Sequence, residues 1–183
     1  YRHCSNLWIG YNIMGLKQIA ATTISSAQAS VTLSGIDTSD VYMAVLSDVK
    51  VASDNKNVII QTTTGGSADS DSDLDGASQQ IDANTSFSMS AHEDASSFTF
   101  AHSCGNAAGE SISAIFYLYF FNNTSEHSMA VYDSVWNQAT PRLKGMHSGF
   151  TKTANEANDG LHFTVESSTN FTAGTFALYQ LES

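Results

Sequence analysis

The sequence predicts a single all-β domain, an antiparallel β-sandwich of jelly-roll type with about ten short strands. Short apolar runs recur with turn residues between them, and none sustains the 3.6-residue period of a helix. Charged residues make up only 14% of the chain, and Ser, Thr and Asn take their place, as is typical of a β-rich surface. One proline in 183 residues leaves the strands free of ladder-breaking positions.

The apolar runs mark where strands are expected. The first, 7–13, falls in residues 1–18, which we interpret as an N-terminal anchor or extension segment. The rest of the chain, 19–183, is interpreted as the β-sandwich domain. Its apolar runs are at 19–24, 29–33, 41–51, 58–62, 87–91, 98–101, 112–121, 129–132, 161–165 and 176–181.

Two of these runs predict strands that differ in how many of their faces are buried. Residues 161–166 alternate apolar and polar side chains, which predicts a half-buried strand. Residues 112–121 are apolar on both faces, so the opposite layer of the sandwich can cover only one face. The second cover is either the domain's own loops or a neighbouring subunit. If it is a subunit, the expected interface residues are Tyr117, Tyr119 and Phe121, with Trp8 and Ile13 from the N-terminal segment.

The polar stretch 63–84 has no apolar periodicity and predicts an exposed, acidic loop excursion. Within it, Asp71, Asp73 and Asp75 followed by Gly76 match the D-x-D-x-D-G start of a calcium loop, and Asp82 stands at the twelfth position. Alternating carboxylates around a glycine turn suit Ca²⁺, which prefers oxygen ligands. A solvated Ser/Asp-rich loop produces the same spacing by chance. Apart from calcium, no cofactor is expected.

The motifs of common hydrolases and nucleotide enzymes are not found in the sequence. There is no G-x-S-x-G, no Gly-rich phosphate loop and no clear pair of catalytic carboxylates. The charged triplet at 92–94, His-Glu-Asp, is typical of a solvated turn between two strands. We therefore expect a protein that is not an enzyme.

An exposed aromatic ring offers a different function, because a flat ring can stack on a sugar. Trp8, Tyr132 and Trp136 are the candidates, although core packing explains Trp8 and Tyr132 equally well. Trp136, with Asn137 beside it to bond sugar hydroxyls, is the preferred glycan contact. This predicts a carbohydrate-binding module as the alternative to a purely structural protein.

Charge and hydropathy restrict the partners. The formal net charge of −11 and a pI near 4.6 repel phosphate backbones and anionic lipid, so no nucleic-acid partner is expected. No apolar run approaches the length of a membrane span, and no membrane insertion is expected. The two cysteines, Cys4 and Cys104, are compatible with either a disulfide or two unpaired thiols.

The C-terminal segment 167–179 reads Ser-Ser-Thr-Asn-Phe-Thr-Ala-Gly-Thr-Phe-Ala-Leu-Tyr. It resembles the closing signature of a group of tailed-bacteriophage virion proteins, in which Asn-Phe-x-x-Gly leads into a last strand ending in Leu-Tyr. Residues 19–36 resemble the opening hairpin of those proteins, and 64–78 falls where they carry a polar excursion. The signature usually continues Leu-Tyr-Gly-Ile, whereas Gln180 and Leu181 follow Tyr179 here.

This resemblance implies a structural component of a tailed-phage virion, displayed in several copies as a capsid decoration or a tail-fibre or appendage protein. Its expected partners are further copies of itself, as a homotrimer, and other virion proteins. A host surface glycan is the additional partner if the chain is a carbohydrate-binding module. The expected location is the extracellular particle, with the host cytoplasm during assembly.

Overall fold

The computed structural model describes residues 15–84, 86–140 and 142–182. Within these ranges, thirteen strands account for about two thirds of the chain, and the one helical element is a single 3₁₀ turn, Glu166–Ser168. The predicted all-β antiparallel sandwich is therefore confirmed. Cys4, Trp8 and Ile13 lie outside the described residues.

The strands follow one another with short connections. They are β1 Gly15–Ile24, β2 Ser30–Ser34, β3 Tyr42–Val51, β4 Lys56–Thr64, β5 Ser67–Ala68, β6 Leu74–Asp82, β7 Ser86–Ala95, β8 Phe98–Cys104, β9 Ile112–Tyr119, β10 Met129–Gln138, β11 Arg142–Lys152, β12 Gly160–Val165 and β13 Phe171–Glu182.

One antiparallel sheet folds back on itself to make two layers. The large layer has the strand order β7-β6-β11-β10-β9-β3-β13-β1, and the small layer has the order β8-β4-β12-β2, with β5 beside β4. The layers are joined where Gln138 at the end of β10 pairs with Cys104 at the end of β8. At the other end, β2 packs near β1 and β13, so the sandwich is nearly closed, like a barrel.

Aromatic side chains fill the space between the layers. Phe100 of β8 meets Phe116 of β9 edge to face at 5.4 Å, and Phe163 of β12 meets Phe176 of β13 at 5.4 Å. Phe116 also packs on Tyr132 at 4.9 Å. These centroid distances are typical of favourable aromatic pairs. Alternation in the strands supplies this core, because every second residue of β9 and β10 points inward.

The C-terminal motif forms β13, between β1 and β3 of the large layer. Phe171, Phe176 and Leu178 are buried. Gly174 has a φ of +121°, and a Cβ there would lie 2.6 Å from the Cα of Val49. A glycine is therefore required at this position by both conformation and space.

The two-sided strand at 112–121 is shorter than predicted. β9 ends at Tyr119, and Phe120 adopts a φ of +59°. This left-handed residue interrupts the alternation, so Phe120 points to solvent and Phe121 is fully buried. The prediction of Phe121 as an interface residue is wrong, whereas Tyr117 is exposed and Tyr119 is half-buried.

The predicted loop excursion at 63–84 is wrong for most of its length. Residues 74–82 form β6, which pairs with β11 on one side and β7 on the other. The triplet His92-Glu93-Asp94 likewise lies within β7, not in a turn. These polar residues form strands because the backbone of β6 pairs with β11 on one edge and with β7 on the other, and most side chains of β6 and β7 are at least partly exposed. At the N-terminus, β1 begins at Gly15, so residues 15–18 belong to the sheet and pair with β13.

Candidate functional site

The most extensive unusual surface is the side of the large layer that faces away from the small layer. We call this side, on strands β3, β9, β10, β11 and β6, the outer face. It carries seven exposed large apolar side chains: Ile81, Ile115, Tyr117, Met129, Val131, Val135 and Leu143.

Strand register places these side chains next to one another. Val131 of β10 lies opposite Tyr117 of β9, and Met129 lies opposite Tyr119. On the other side of β10, Val135 lies opposite Gly145 of β11, and Gly145 lies opposite Ile81 of β6. Because opposite residues share a face of the sheet, the apolar side chains form one continuous patch.

The centre of the outer face holds one acid and one histidine. Asp133 of β10 and His147 of β11 lie directly opposite each other, and the Nδ1 of His147 is 2.7 Å from the Oδ1 of Asp133. Both side chains are exposed. The pair lies among the apolar side chains of this face, in a chain whose formal net charge is −11.

Two shallow depressions mark the outer face. One lies over the small residues Ala77, Ala91 and Gly149, with Met89 and Val131 at its sides. The other lies between Val45, Ile115 and Val135. Both are open to solvent and mainly apolar, which suits contact with another protein surface better than the enclosure of a small molecule.

A more enclosed cavity of about 180 Å³ lies beside the free edge of β8, between the two layers. His92, His102 and Tyr132 contribute to its lining. Burial lowers the pKa of His102 and raises the pKa of Tyr132 to about 12. These two rings therefore present neutral hydrogen-bonding groups at pH 7.

The predicted calcium loop is wrong because its ligands are spread along a strand. Asp75 and Asp82 stand at opposite ends of β6, and seven residues of extended chain span ~23 Å. Asp82 lies 3.4 Å from Arg142 and 3.5 Å from Lys144. Asp73 binds Lys152, and Asp71 is exposed. The four carboxylates cannot share one ion.

A buried lysine holds the acidic residues that do come together. The Nζ of Lys152, at the end of β11, donates to Asp73 at 2.7 Å, lies 2.9 Å from Glu156 and also donates to Asp69. Their carboxylate oxygens are close enough to bind a metal ion together, but the ammonium group already lies among them. We call this the Lys152 cluster.

The charges of the Lys152 cluster support one another. Burial opposes the charged form of Lys152, but hydrogen bonds to Asp69, Asp73 and Glu156 outweigh it and hold its pKa above the ordinary value. Burial alone would raise the pKa of Asp69, but hydrogen bonds from Lys152 and the Asp71 N–H lower it. The cluster ties the segment before β6 to the end of β11, and its role is structural.

Trp136 and Asn137 were predicted as the glycan contact, and this prediction is wrong for Trp136. The indole is 1% exposed, and its Nε1 donates to the carbonyl of His102 at 2.7 Å. Trp136 falls on the inward side of the β10 alternation, so it packs in the core. Asn137 is half-buried, and its backbone bonds to Ser111 and Gly105.

Sequence reasoning found Tyr117 and Tyr119 on the outer face but missed Val131 and Val135. Residues 129–136 have apolar side chains at both odd and even positions, so the sequence does not indicate which face is outward. In the structure the four odd-numbered residues face away from the core. Buried Cys104 was also named beforehand. Burial raises the pKa of its thiol to about 12, which makes it a poor nucleophile or metal ligand at pH 7.

Comparison with known proteins gives no significant match to a family model, a curated protein or a solved structure. Among the described residues, no helix is long and apolar enough to span a membrane.

Proposed function

We propose that the chain is a non-enzymatic structural component of a tailed-bacteriophage particle, displayed in several copies as a capsid decoration or a tail-fibre or appendage protein. The outer face of the large layer is the observation that carries this proposal. A structural particle protein must bind its neighbours through a large surface, and this face provides one.

The size of the outer face supports an association role. Its five strands lie ~4.8 Å apart and its apolar residues span ~20 Å along β10, which gives a mainly apolar surface of ~400 Å² around the Asp133–His147 pair. Apolar patches of ~300–600 Å² are the largest on typical monomers and are often functional. A standard interface buries ~800 Å² on each partner, so the patch could provide about half of one.

Charge supports the same assignment. Copies that each carry a net charge of −11 repel one another over most of their surfaces. On the outer face this repulsion is weaker, because most of the exposed side chains around Asp133 are apolar. Copies therefore approach one another most favourably through this face.

The particle itself is proposed from the C-terminal resemblance. The residues that carry it occupy β13, where Phe171, Phe176 and Leu178 lie in the core and Gly174 makes a close approach to Val49. Burial and close packing explain why these residue types are needed in the last strand of a sandwich, which is the place that the resemblance gives them. The glycan-binding alternative lost its main residue when Trp136 was found in the core.

Mass spectrometry of purified particles tests the proposal. Tailed particles should be isolated from the source of this sequence by two successive density gradients, and the peptides of the chain counted against those of the major capsid protein. We expect the chain to remain with the particles at several copies each. If it is found only in the soluble lysate fraction, the proposal is wrong.

A further inference from the structure

Strand β7 is the most exposed of the described strands that are longer than two residues. It lies at the edge of the large layer, and β6 is its only strand partner among the described residues. Nine of its ten positions are exposed, including Phe87 at 71% and Met89 at 86%. In the described part of the chain, no strand pairs with the other edge of its backbone.

Such an edge normally carries devices that prevent pairing with another chain. Natural edge strands use lysines, prolines, bulges or covering loops for this purpose. Residues 86–92 contain neither lysine nor proline, and they pair with β6 without a register shift from Ser86 to His92. The irregularity of β7 comes after His92, where Asp94 has a φ of +51°. Seven consecutive residues therefore remain ready to pair.

From these features we propose that two copies of the chain pair through β7, edge to edge and antiparallel, about a twofold axis near Met89. In an antiparallel pair, directly opposite residues have their side chains on the same face of the sheet. A twofold axis perpendicular to the sheet must therefore lie level with one residue, which pairs with its own copy, and not between two residues. With the axis at Met89, Ser86 faces His92, Phe87 faces Ala91, and Ser88 faces Ser90. All seven regular residues are then paired.

The position of the acidic residues in β7 favours antiparallel over parallel pairing of two copies. The acidic residues of the strand, Glu93 and Asp94, lie together at one end. In-register parallel pairing would place each against its own copy, which is unfavourable. Antiparallel pairing moves the two acidic ends to opposite ends of the ribbon. The neutral middle of the strand is then the part that meets its copy.

The apolar side chains gain from the same arrangement. Phe87 and Met89 lie on the side of the sheet that continues the outer face, because they are opposite Ile81 and Gln79 of β6. Across the twofold axis, Met89 meets Met89 and Phe87 meets Ala91 of the second copy. Pairing thus covers the most exposed methionine and joins two large layers, and two outer faces, into one sheet.

This inference deepens the proposed function by naming a contact between copies, but the pairing is a property of the purified chain. It is tested by cysteine cross-linking in a Cys4→Ser background. The variants S88C, M89C and S90C are oxidised with oxidised glutathione, with T124C as an exposed control on a loop. We expect the disulfide-linked dimer to form at least tenfold faster at M89C than at T124C. Equal rates at all four positions would overturn the proposal.

Charge substitutions distinguish pairing through β7 from contact through the outer face. In S90K, the new lysines lie close together across the paired strands and on the side opposite the outer face, whereas V131K places a lysine on the outer face. Sedimentation of S90K should show at least a tenfold weaker dimer than T124K, which carries the same charge change. If S90K associates as T124K does while V131K is weakened, copies associate through the outer face and the β7 proposal fails alone. A homotrimer unaffected by S90K would also overturn it.

Discussion

Lys152 connects two separate parts of the chain through buried ion pairs. It is fully buried among three carboxylates that come from two separate parts of the chain. A metal ion at this place would need the same carboxylate oxygens, which the ammonium group of Lys152 already occupies. Removal of one partner from a buried ionic group leaves the others without compensation, and this costs more than the loss of an exposed pair.

The substitution K152M should therefore lower the free energy of unfolding by about 3 kcal/mol, the lower end of the range for a broken buried pair because Glu156 is partly exposed. Urea denaturation followed by tryptophan fluorescence measures this change. K50M is the matched control, since Lys50 makes only a 3.8 Å pair with exposed Asp48, and its effect should be within ~0.5 kcal/mol. Equal losses in the two variants would contradict the assigned role.

The pH dependence of the Lys152 cluster follows from the lowered pKa of Asp69. A carboxyl whose pKa is lower in the folded state stabilises the fold above its unfolded pKa of about 3.9 and loses this contribution as the pH falls through the folded value. Wild-type protein should exceed D69N in stability at pH 6, and the difference should shrink below pH ~4. Urea midpoints at pH 6, 4 and 3 measure it, and a constant difference would show that Asp69 acts through packing alone.

At the scale of a strand, β10 shows how alternation decides the fate of each side chain. Its residues Ala130, Tyr132, Ser134 and Trp136 are buried, while Met129, Val131, Asp133 and Val135 are exposed. The buried set packs against the small layer, where Ser134 donates to the carbonyl of Phe100 at 2.6 Å. The exposed set forms the middle of the outer face.

Neighbouring residues of β10 should therefore respond oppositely to truncation. W136A removes a buried indole and its hydrogen bond, so we expect a loss of about 3–5 kcal/mol. V135A should change stability by less than ~0.5 kcal/mol because its side chain is exposed. Thermal unfolding by circular dichroism compares the two variants. A larger loss for V135A would reverse the assignment of the two faces.

The same strands show what could be predicted from the sequence. Apolar alternation is a local signal, and it predicted the all-β class and most of the strands. β6 was missed because its stability comes from pairing with β11, about seventy residues away, and not from apolar side chains of its own. Trp136 was misplaced because its orientation depends on the register of β10. The Lys152 cluster joins Asp69 to a residue 83 positions later, which no local pattern reveals.

At the scale of the whole molecule, two opposing features govern association. In the proposed association, a formal net charge of −11 opposes contact between copies, while the apolar side chains of the outer face and the uncharged residues 86–91 of β7 favour it. Salt shortens the range of the repulsion and leaves the apolar contacts in place. Self-association should therefore respond to ionic strength in a defined direction.

We expect self-association to strengthen several-fold when NaCl is raised from about 0.05 M, where screening is weak, to about 0.5 M, where charges interact only over a few ångströms. Sedimentation velocity over a concentration series measures the dissociation constant at each salt concentration. The double variant S90K/V131K provides the control, because it should associate weakly throughout. Association that weakens with added salt would mean that ion pairs hold the copies together.

We propose that this sandwich is a repeated structural part of a tailed-phage particle. Cryo-electron microscopy of intact particles from the source of this sequence tests it most directly. We expect density for a two-layered β-sandwich at regularly repeated positions on the shell or the tail, with β7 or the outer face turned toward another copy. Particles that lack this density would contradict the proposed function, and copies with both surfaces open to solvent would contradict the proposed contacts.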